Sequence, residues 1–153
     1  MVTITLLQPP FSATRLEGFR QITASVFAED ASPDWLSSLA WRLENMPDVT
    51  IFHAEEDGKP VGFKAGYASA HTRYYSWLGG IVPGFRRRGL ARALMEAQHA
   101  WLLASRFNQV ECHVDQDNTA MIALNVKSGM TVAGSFLKDG HPTIILQKDV
   151  SAS

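Results

Sequence analysis

Arg86, Arg87 and Arg88 stand side by side and run directly into Gly89, Leu90, Ala91 and Arg92. The start of a helix carries N–H groups without intrahelical partners and the positive end of the helix dipole, so it attracts anions. Gly89 has no Cβ and Ala91 is nearly as small, which lets a phosphate approach the main chain closely. No Gly-Lys-Ser/Thr follows the turn, so it is not a nucleotide P-loop. The three glycines of the dinucleotide fingerprint are missing as well. The spacing alone fits a phosphate cradle and a structural turn with solvated arginines equally well. A second group of chemical interest is Glu111, His113 and Asp115. In an extended chain they face one way while Val110, Cys112 and Val114 face the other.

The elements that must position these residues follow from periodicity and turn chemistry. Residues 2–7 alternate β-branched and aliphatic side chains and end at Pro9-Pro10, which predicts a short strand. Leu16, Phe19, Ile22 and Val26 recur at helical spacing. Ser32-Pro33-Asp34 opens a second helix with Trp35, Leu39, Leu43 and Met46 on one face, stopping before Pro47. Two strands, 49–54 and 61–67, flank Asp57-Gly58, a pair suited to a tight hairpin. Residues 74–82 form a further strand with Gly79-Gly80 inside it, a pattern that marks a bulge or a close backbone approach. Residues 90–104 form a helix on which Arg92, Glu96 and His99 are expected to make one solvent stripe. A strand at 109–114 follows, then a helix at 119–128 capped by Asn118 and ended by Gly129. A closing hairpin turns at Lys138-Asp139-Gly140-His141. The order β-α-α-β-β-β-α-β-α-β-β predicts an α/β fold in which helices pack on a mixed sheet, with residues 1–150 forming a single domain.

Composition narrows the function. The chain has 153 residues, enough to bury roughly two-thirds of its unfolded surface in one core. Its net charge of -1 gives a polyanion no global attraction, so no nucleic-acid partner is expected. Cys112 is the single cysteine, which excludes an intrachain disulfide and any multi-cysteine zinc site. The histidines His53, His71 and His141 show no metal-ligand spacing, so no metal is expected. No apolar run approaches the ~20 residues of a membrane span, and the start lacks a secretory signal pattern. A cytoplasmic protein without membrane association is the expectation.

The run Arg86-Arg87-Arg88-Gly89-Leu90-Ala91 resembles the Arg/Gln-x-x-Gly-x-Gly/Ala motif of the GNAT (GCN5-related) N-acetyltransferase superfamily. Ile81-Val82-Pro83 precedes it as the family's Val-x-Pro does, and Asn118 followed by Gly129 is similar to the family's Asn, helix, Gly-Phe ending. The resemblance implies about seven strands and four helices, with the sheet splayed open between strands 74–82 and 109–114. It implies acetyl-CoA as cosubstrate, lying in that opening. The pyrophosphate would rest on the amides of Arg87, Arg88, Gly89, Leu90, Ala91 and Arg92, with Arg86 at the motif's first position. The pantetheine arm would pair with the main chain of Gly79, Gly80 and Ile81, and Asn118 would contact the same region.

Acyl transfer to an amine needs a neutral amine, an oxyanion stabiliser and a proton for the departing thiolate. At the position where family members often carry a glutamate base stands His113, either a general base or a histidine hydrogen-bonded on a partly buried strand face. Glu111 is a second candidate base or a contact for a substrate ammonium. The family's usual acid, a tyrosine, is replaced by Asn125, whose amide cannot protonate a thiolate but could bond the CoA sulfur or position a water. Tyr75, with Tyr74 as its alternative, is the remaining source of a phenol. The acceptor pocket is expected to draw on Phe27, Trp35, Trp41, Tyr67, His71, Tyr75 and Trp77, with Glu29 and Asp30 as ammonium partners. The resemblance therefore implies acetyl transfer to a primary amine of a small molecule or peptide by direct attack in a ternary complex. A CoA-binding protein of the same fold with little catalysis is the alternative. Dimerisation is common in the family, so a homodimer is one expected partner, though no residue pattern here demonstrates it.

Overall fold

The computed structural model describes residues 1–28 and 30–150. Seven strands form one sheet in the order β1-β2-β3-β4-β5-β7-β6. They are β1 (Val2–Leu7), β2 (Thr50–Glu56), β3 (Lys59–Ala70), β4 (Arg73–Ile81), β5 (Gln109–Asp115), β6 (Thr131–Lys138) and β7 (His141–Asp149). Every neighbouring pair is antiparallel except β4 and β5, which run parallel because a helix connects them. The helices are α1 (Ala13–Val26), α2 (Pro33–Asn45), α3 (Leu90–Leu103) and α4 (Thr119–Lys127).

Strand alternation assigns each face its own core. Ile51, Phe63 and Ala65 pack under Phe19 and Ile22 of α1 and Leu39 of α2. Phe52 and Ala54 face the other way, against Leu90 and Leu94 of α3. Tyr74, Val110, Cys112, Val114 and Met130 gather with Leu102 of α3 and with Met121 and Ile122 of α4. Each leucine, isoleucine, valine, phenylalanine or methionine buried fully among these contributes roughly 1.5–3 kcal/mol. The helix starts follow from side chains: Ser12 accepts from the Arg15 N–H at 3.1 Å and Ser32 from the Trp35 N–H at 3.2 Å.

Two expectations need correction. The irregularity in β4 is not at Gly79-Gly80, which pair regularly with Lys64 and Phe63. The register steps from Ala65↔Leu78 to Gly66↔Ser76, so Trp77 is the residue without a partner. Gly80 is small for a different reason, because a Cβ there would collide with the Val26 side chain of α1. His99 does not belong to a solvent stripe; it is 8% exposed, with its ring against Lys148 of β7. Only Arg92 and Glu96 remain outside, joined at 3.0 Å.

Two buried histidines tie stability to pH. Both ring nitrogens of His53 lack a partner, and burial, reinforced by Arg15, lowers its pKa to about 4. Burial, with the charges of Lys148 and Lys64, lowers His99 to about 4 as well. An unfolded histidine takes up its proton near 6.5, the folded ones only near 4. Their contribution is therefore complete above about pH 6.5 and is lost as pH falls toward 4. Denaturant titrations at about pH 7.5 and about pH 5 should show this loss. His53→Leu should reduce it by about 2 kcal/mol, and an undiminished pH dependence would exclude His53 as its source.

Candidate functional site

The parallel ladder between β4 and β5 contains only the pairs from Arg73↔Gln109 to Ser76↔Cys112. Beyond Ser76, β4 continues to Ile81 and β5 to Asp115 without pairing to each other. The unpartnered Trp77 begins this divergence, since a bulge bends its strand and increases its twist. A wedge opens in the sheet, and the edge of β4 from Trp77 to Ile81 presents main-chain donors and acceptors to it.

At the outer end of the wedge lies the arginine turn. Gly89 is the N-cap of α3 in the left-handed conformation, φ 75°, and supplies no side-chain cap. The first intrahelical bond runs from the Ala93 N–H to the Gly89 carbonyl, so the N–H groups of Leu90, Ala91 and Arg92 lack helical partners. The other three helices are capped by Ser12, Ser32 and Asn118. A Cβ at Gly89 would meet nothing within 4 Å, so the space above the turn is open. A groove of about 740 Å³ runs from there along β4, lined by Arg86, Arg87, Gly89 to Arg92, Gly79, Gly80, Ile81 and Asn118.

The three arginines separate in this setting. Arg86 turns back and donates from Nε to the Ile81 carbonyl at 3.1 Å, fixing the turn to the strand. Arg87 adopts φ 65° and lines the groove. Arg88 leaves it, lying over Phe85 and pairing with Glu56 at 3.4 Å. Asn118 caps α4 by accepting from the Met121 N–H at 3.3 Å. Asn125 is buried and its amide donates to the Met121 carbonyl at 2.9 Å.

Where the strands part, a smaller cavity of about 200 Å³ is lined by Ser76, Trp77, Gly79, Cys112, His113 and Asn125, among others. Phe27, Lys64, Gly79, Asn118 and Met121 line both it and the long groove. Burial pushes the Cys112 thiol up to about 11 against the lowering effect of Lys64.

A third cavity, about 820 Å³, opens on the α2 side of the sheet. Its wall includes Trp35, Tyr75, Trp77, His113, Phe136 and His141; Arg42 and Lys138 bring positive charge to it, and Asp115 and Asp139 negative. The His113 ring packs 4.7 Å from Tyr75 and 5.1 Å from Phe136. His113 Nε2 lies 2.9 Å from Glu111 Oε2, while Gln147 donates to Glu111 Oε1 at 2.7 Å. Burial alone would raise the Glu111 carboxyl. The hydrogen bonds from Gln147 and His113, with the charges of His113 and Arg73, outweigh it and hold the group below its usual value. An ionised carboxylate only accepts, so it fixes Nε2 as the protonated ring nitrogen and leaves Nδ1 as the acceptor. Burial, aided by Tyr67, raises Tyr75 to about 12.

The structure thus brings His113, Glu111 and Tyr75 together and keeps Tyr74 apart. Tyr74 is fully buried on the α3 side, hydrogen-bonded to Thr50 and to Gln98. Of the expected pocket aromatics, Trp35, Tyr75 and Trp77 line the cavity; Tyr67 supports them from behind at 5.4 Å from Tyr75, and Trp41 is exposed. His71 offers only its carbonyl, to Arg106. Asp30 is exposed outside the cavity, and Glu29 lies outside the described residues. Sequence reading missed Arg42, Phe136 and Lys64. Arg42 was within reach, because it follows Trp35 by two helical turns and therefore shares its face. Among the described residues no three His, Cys, Asp or Glu side chains gather as a metal site requires, and no helix is long and apolar enough to cross a membrane.

A sequence profile of the acetyltransferase (GNAT) family matches residues 16–130. No curated protein sequence matches the chain. Among solved structures, the ribosomal-protein-S18-alanine N-acetyltransferase of Escherichia coli superposes with a TM-score of 0.82 at 23% identity, covering 100% of this chain and 96% of that one. A GNAT family acetyltransferase from Elizabethkingia anophelis with acetyl-CoA bound gives 0.72 at 10% identity, covering 97% of each. Arabidopsis thaliana NAA60 in complex with a bisubstrate analogue gives 0.71 at 19% identity, covering 96% and 98%.

Gly89→Glu tests the cradle. The substitution sets a carboxylate where an anion would sit and adds about 1 kcal/mol of left-handed strain. Calorimetric titration with CoA should show affinity lower by about a hundredfold, equivalent to ~3 kcal/mol. Unchanged affinity would leave the turn no part in anion binding.

Proposed function

Because the chain belongs to the GNAT acetyltransferase family, we propose that it transfers an acetyl group from acetyl-CoA to a primary amine of a small molecule or peptide, by direct attack in a ternary complex. The observation that carries this reading is the wedge. It joins a groove with uncapped amides at one end to a cavity with a histidine–carboxylate pair at the other. Donor and acceptor can therefore enter from opposite sides of the sheet and meet where β4 and β5 part.

The residues present fit the cosubstrate. Arg87, Gly89, Leu90, Ala91 and Arg92 would hold the pyrophosphate with main-chain N–H groups, where open space lies above Gly89. The free edge of β4 at Gly79, Gly80 and Ile81 would hold the pantetheine arm as an added strand. Bound there, acetyl-CoA supplies an activated acyl group as a thioester. Main-chain N–H groups on the same edge would stabilise the developing oxyanion.

On the acceptor side, His113 Nδ1 takes the proton of the attacking amine. Glu111, braced by Gln147, orients the ring and stabilises the charge it acquires. Trp35, Tyr75, Trp77 and Phe136 provide aromatic faces for an ammonium group, and Asp115 and Asp139 provide countercharge. The likeness to an alanine N-acetyltransferase of a ribosomal protein supports a peptide amine as one acceptor class.

Thiol release from acetyl-CoA, followed with a panel of primary amines and short peptides, tests the proposal directly. Acceptor-dependent turnover is expected; CoA binding without turnover on any amine would favour a binding protein of the same fold. His113→Ala should lower kcat by about a hundredfold while leaving CoA affinity unchanged. An unaltered kcat would return His113 to a packing role.

A further inference from the structure

Lys64 and Ser76 hold polar groups at the point of the wedge without visible protein partners. Lys64 stands opposite Gly79 in the β3–β4 register. A Cβ at Gly79 would lie 3.6 Å from Lys64 Cγ, so the lysine stem crosses β4 where no side chain intervenes. Lys64 lines both the long groove and the cavity between the strands. The ion pairs among the described residues are made by Arg15, Arg20, Arg88, Arg92, Arg106 and His113, and none holds Lys64. Ser76 lines the same cavity, is 7% exposed, and its Oγ has no hydrogen-bond partner. A buried hydroxyl left without a partner in a partly apolar cleft is costly unless a ligand atom completes it, and the half-buried Lys64 stands on the same cavity wall.

We propose that Lys64 is the proton donor to the CoA sulfur, with Ser76 as a second donor to the same atom. The inference rests on the acetyl-transfer reading above. As the amine nitrogen bonds to the carbonyl carbon, the C–S bond breaks and its electron pair stays on sulfur. Lys64 Nζ gives a proton to that sulfur, while His113 removes one from the amine. Lys64 regains its proton from solvent and His113 returns one, so the products are the amide and free CoA thiol. Other groups near the wedge are committed elsewhere. Asn125 spends its amide on Met121, Tyr74 bonds Thr50 and Gln98, and Tyr75 faces the acceptor cavity.

The charged surroundings suit the role. The titratable groups around Lys64 are Cys112, His113 and Asp115 of β5 on the wall of the same cavity, His99 of α3 with Lys148 of β7 behind it, and Arg86, Arg87 and Arg92 farther along the long groove. Burial holds the ammonium below the ordinary lysine value, against the opposing effect of Cys112, which brings its acidity closer to that of a thiol.

The test reads the CoA thiol rather than turnover. CoA is bound to the wild-type protein and to Lys64→Met, with affinity measured calorimetrically. Thiolate absorbance is then followed against pH, with the desulfo-CoA complex subtracted to remove Cys112. In the wild type the thiol ionisation constant should exceed that in the Lys64→Met complex by about tenfold or more, because an ammonium beside the sulfur favours the thiolate against the burial both complexes share. Lys64→Gln, which keeps a polar stem, should behave as Lys64→Met does and serves if the methionine variant does not fold. Equal ionisation in wild type and variants overturns the proposal, as does acetylation of Lys64 itself found by mass spectrometry. Failure of CoA to bind the wild type overturns the acetyl-transfer reading and the proposal with it.

Discussion

The parallel contact between β4 and β5 governs the rest of the structure. It must be strong enough to join two antiparallel sections of sheet and short enough to leave them parted at one end. Strength comes from beneath. Tyr74 lies fully buried at the closed end, with its ring edge-on to Trp101 and Phe107 and its hydroxyl bonded to Thr50 and Gln98. Gly66 makes room for that ring, since a Cβ there would overlap it. Shortness comes from Trp77, whose lack of a partner on β3 turns β4 aside one residue after the last pair with β5. The closed end is thus packed as a core, and the open end leaves the β4 main chain without a strand partner on that side.

Charge is divided by the same geometry. Of the three arginines that mark the sequence, one secures the turn, one faces the groove and one is drawn off to Glu56. The half-exposed Arg88–Glu56 pair adds little to stability, as exposed pairs generally do. Its effect is to lower positive charge beside the groove, where α3 already fixes the direction of the main-chain N–H groups left free at its start.

What the sequence disclosed and what it concealed divide along the same line. Gly89, the caps at Ser32 and Asn118, and the alternation through Glu111 and His113 were legible because each depends on neighbours in the chain. The bulge was misplaced because Gly79-Gly80 offered a local signal, whereas register is set by the pairing of β3 with β4. Gly80 answers to Val26, more than fifty residues away. His99 fitted a solvent stripe by periodicity, yet β7 covers it, and nothing within α3 announces β7. Nothing in β3 itself marks Lys64; only the approach of β5 and α4 places it on a cavity wall.

Cys112, the single cysteine, sits where the two strands part. In the proposed reaction a thioester would lie beside this thiol, and attack by it would leave the acyl group on the protein. Burial opposes that: it pushes the Cys112 thiol up to about 11, so the group stays protonated near neutral pH and is a poor nucleophile. A desolvated cysteine at this point of the sheet therefore suits a reaction that goes by direct attack, with no acyl-enzyme on the way.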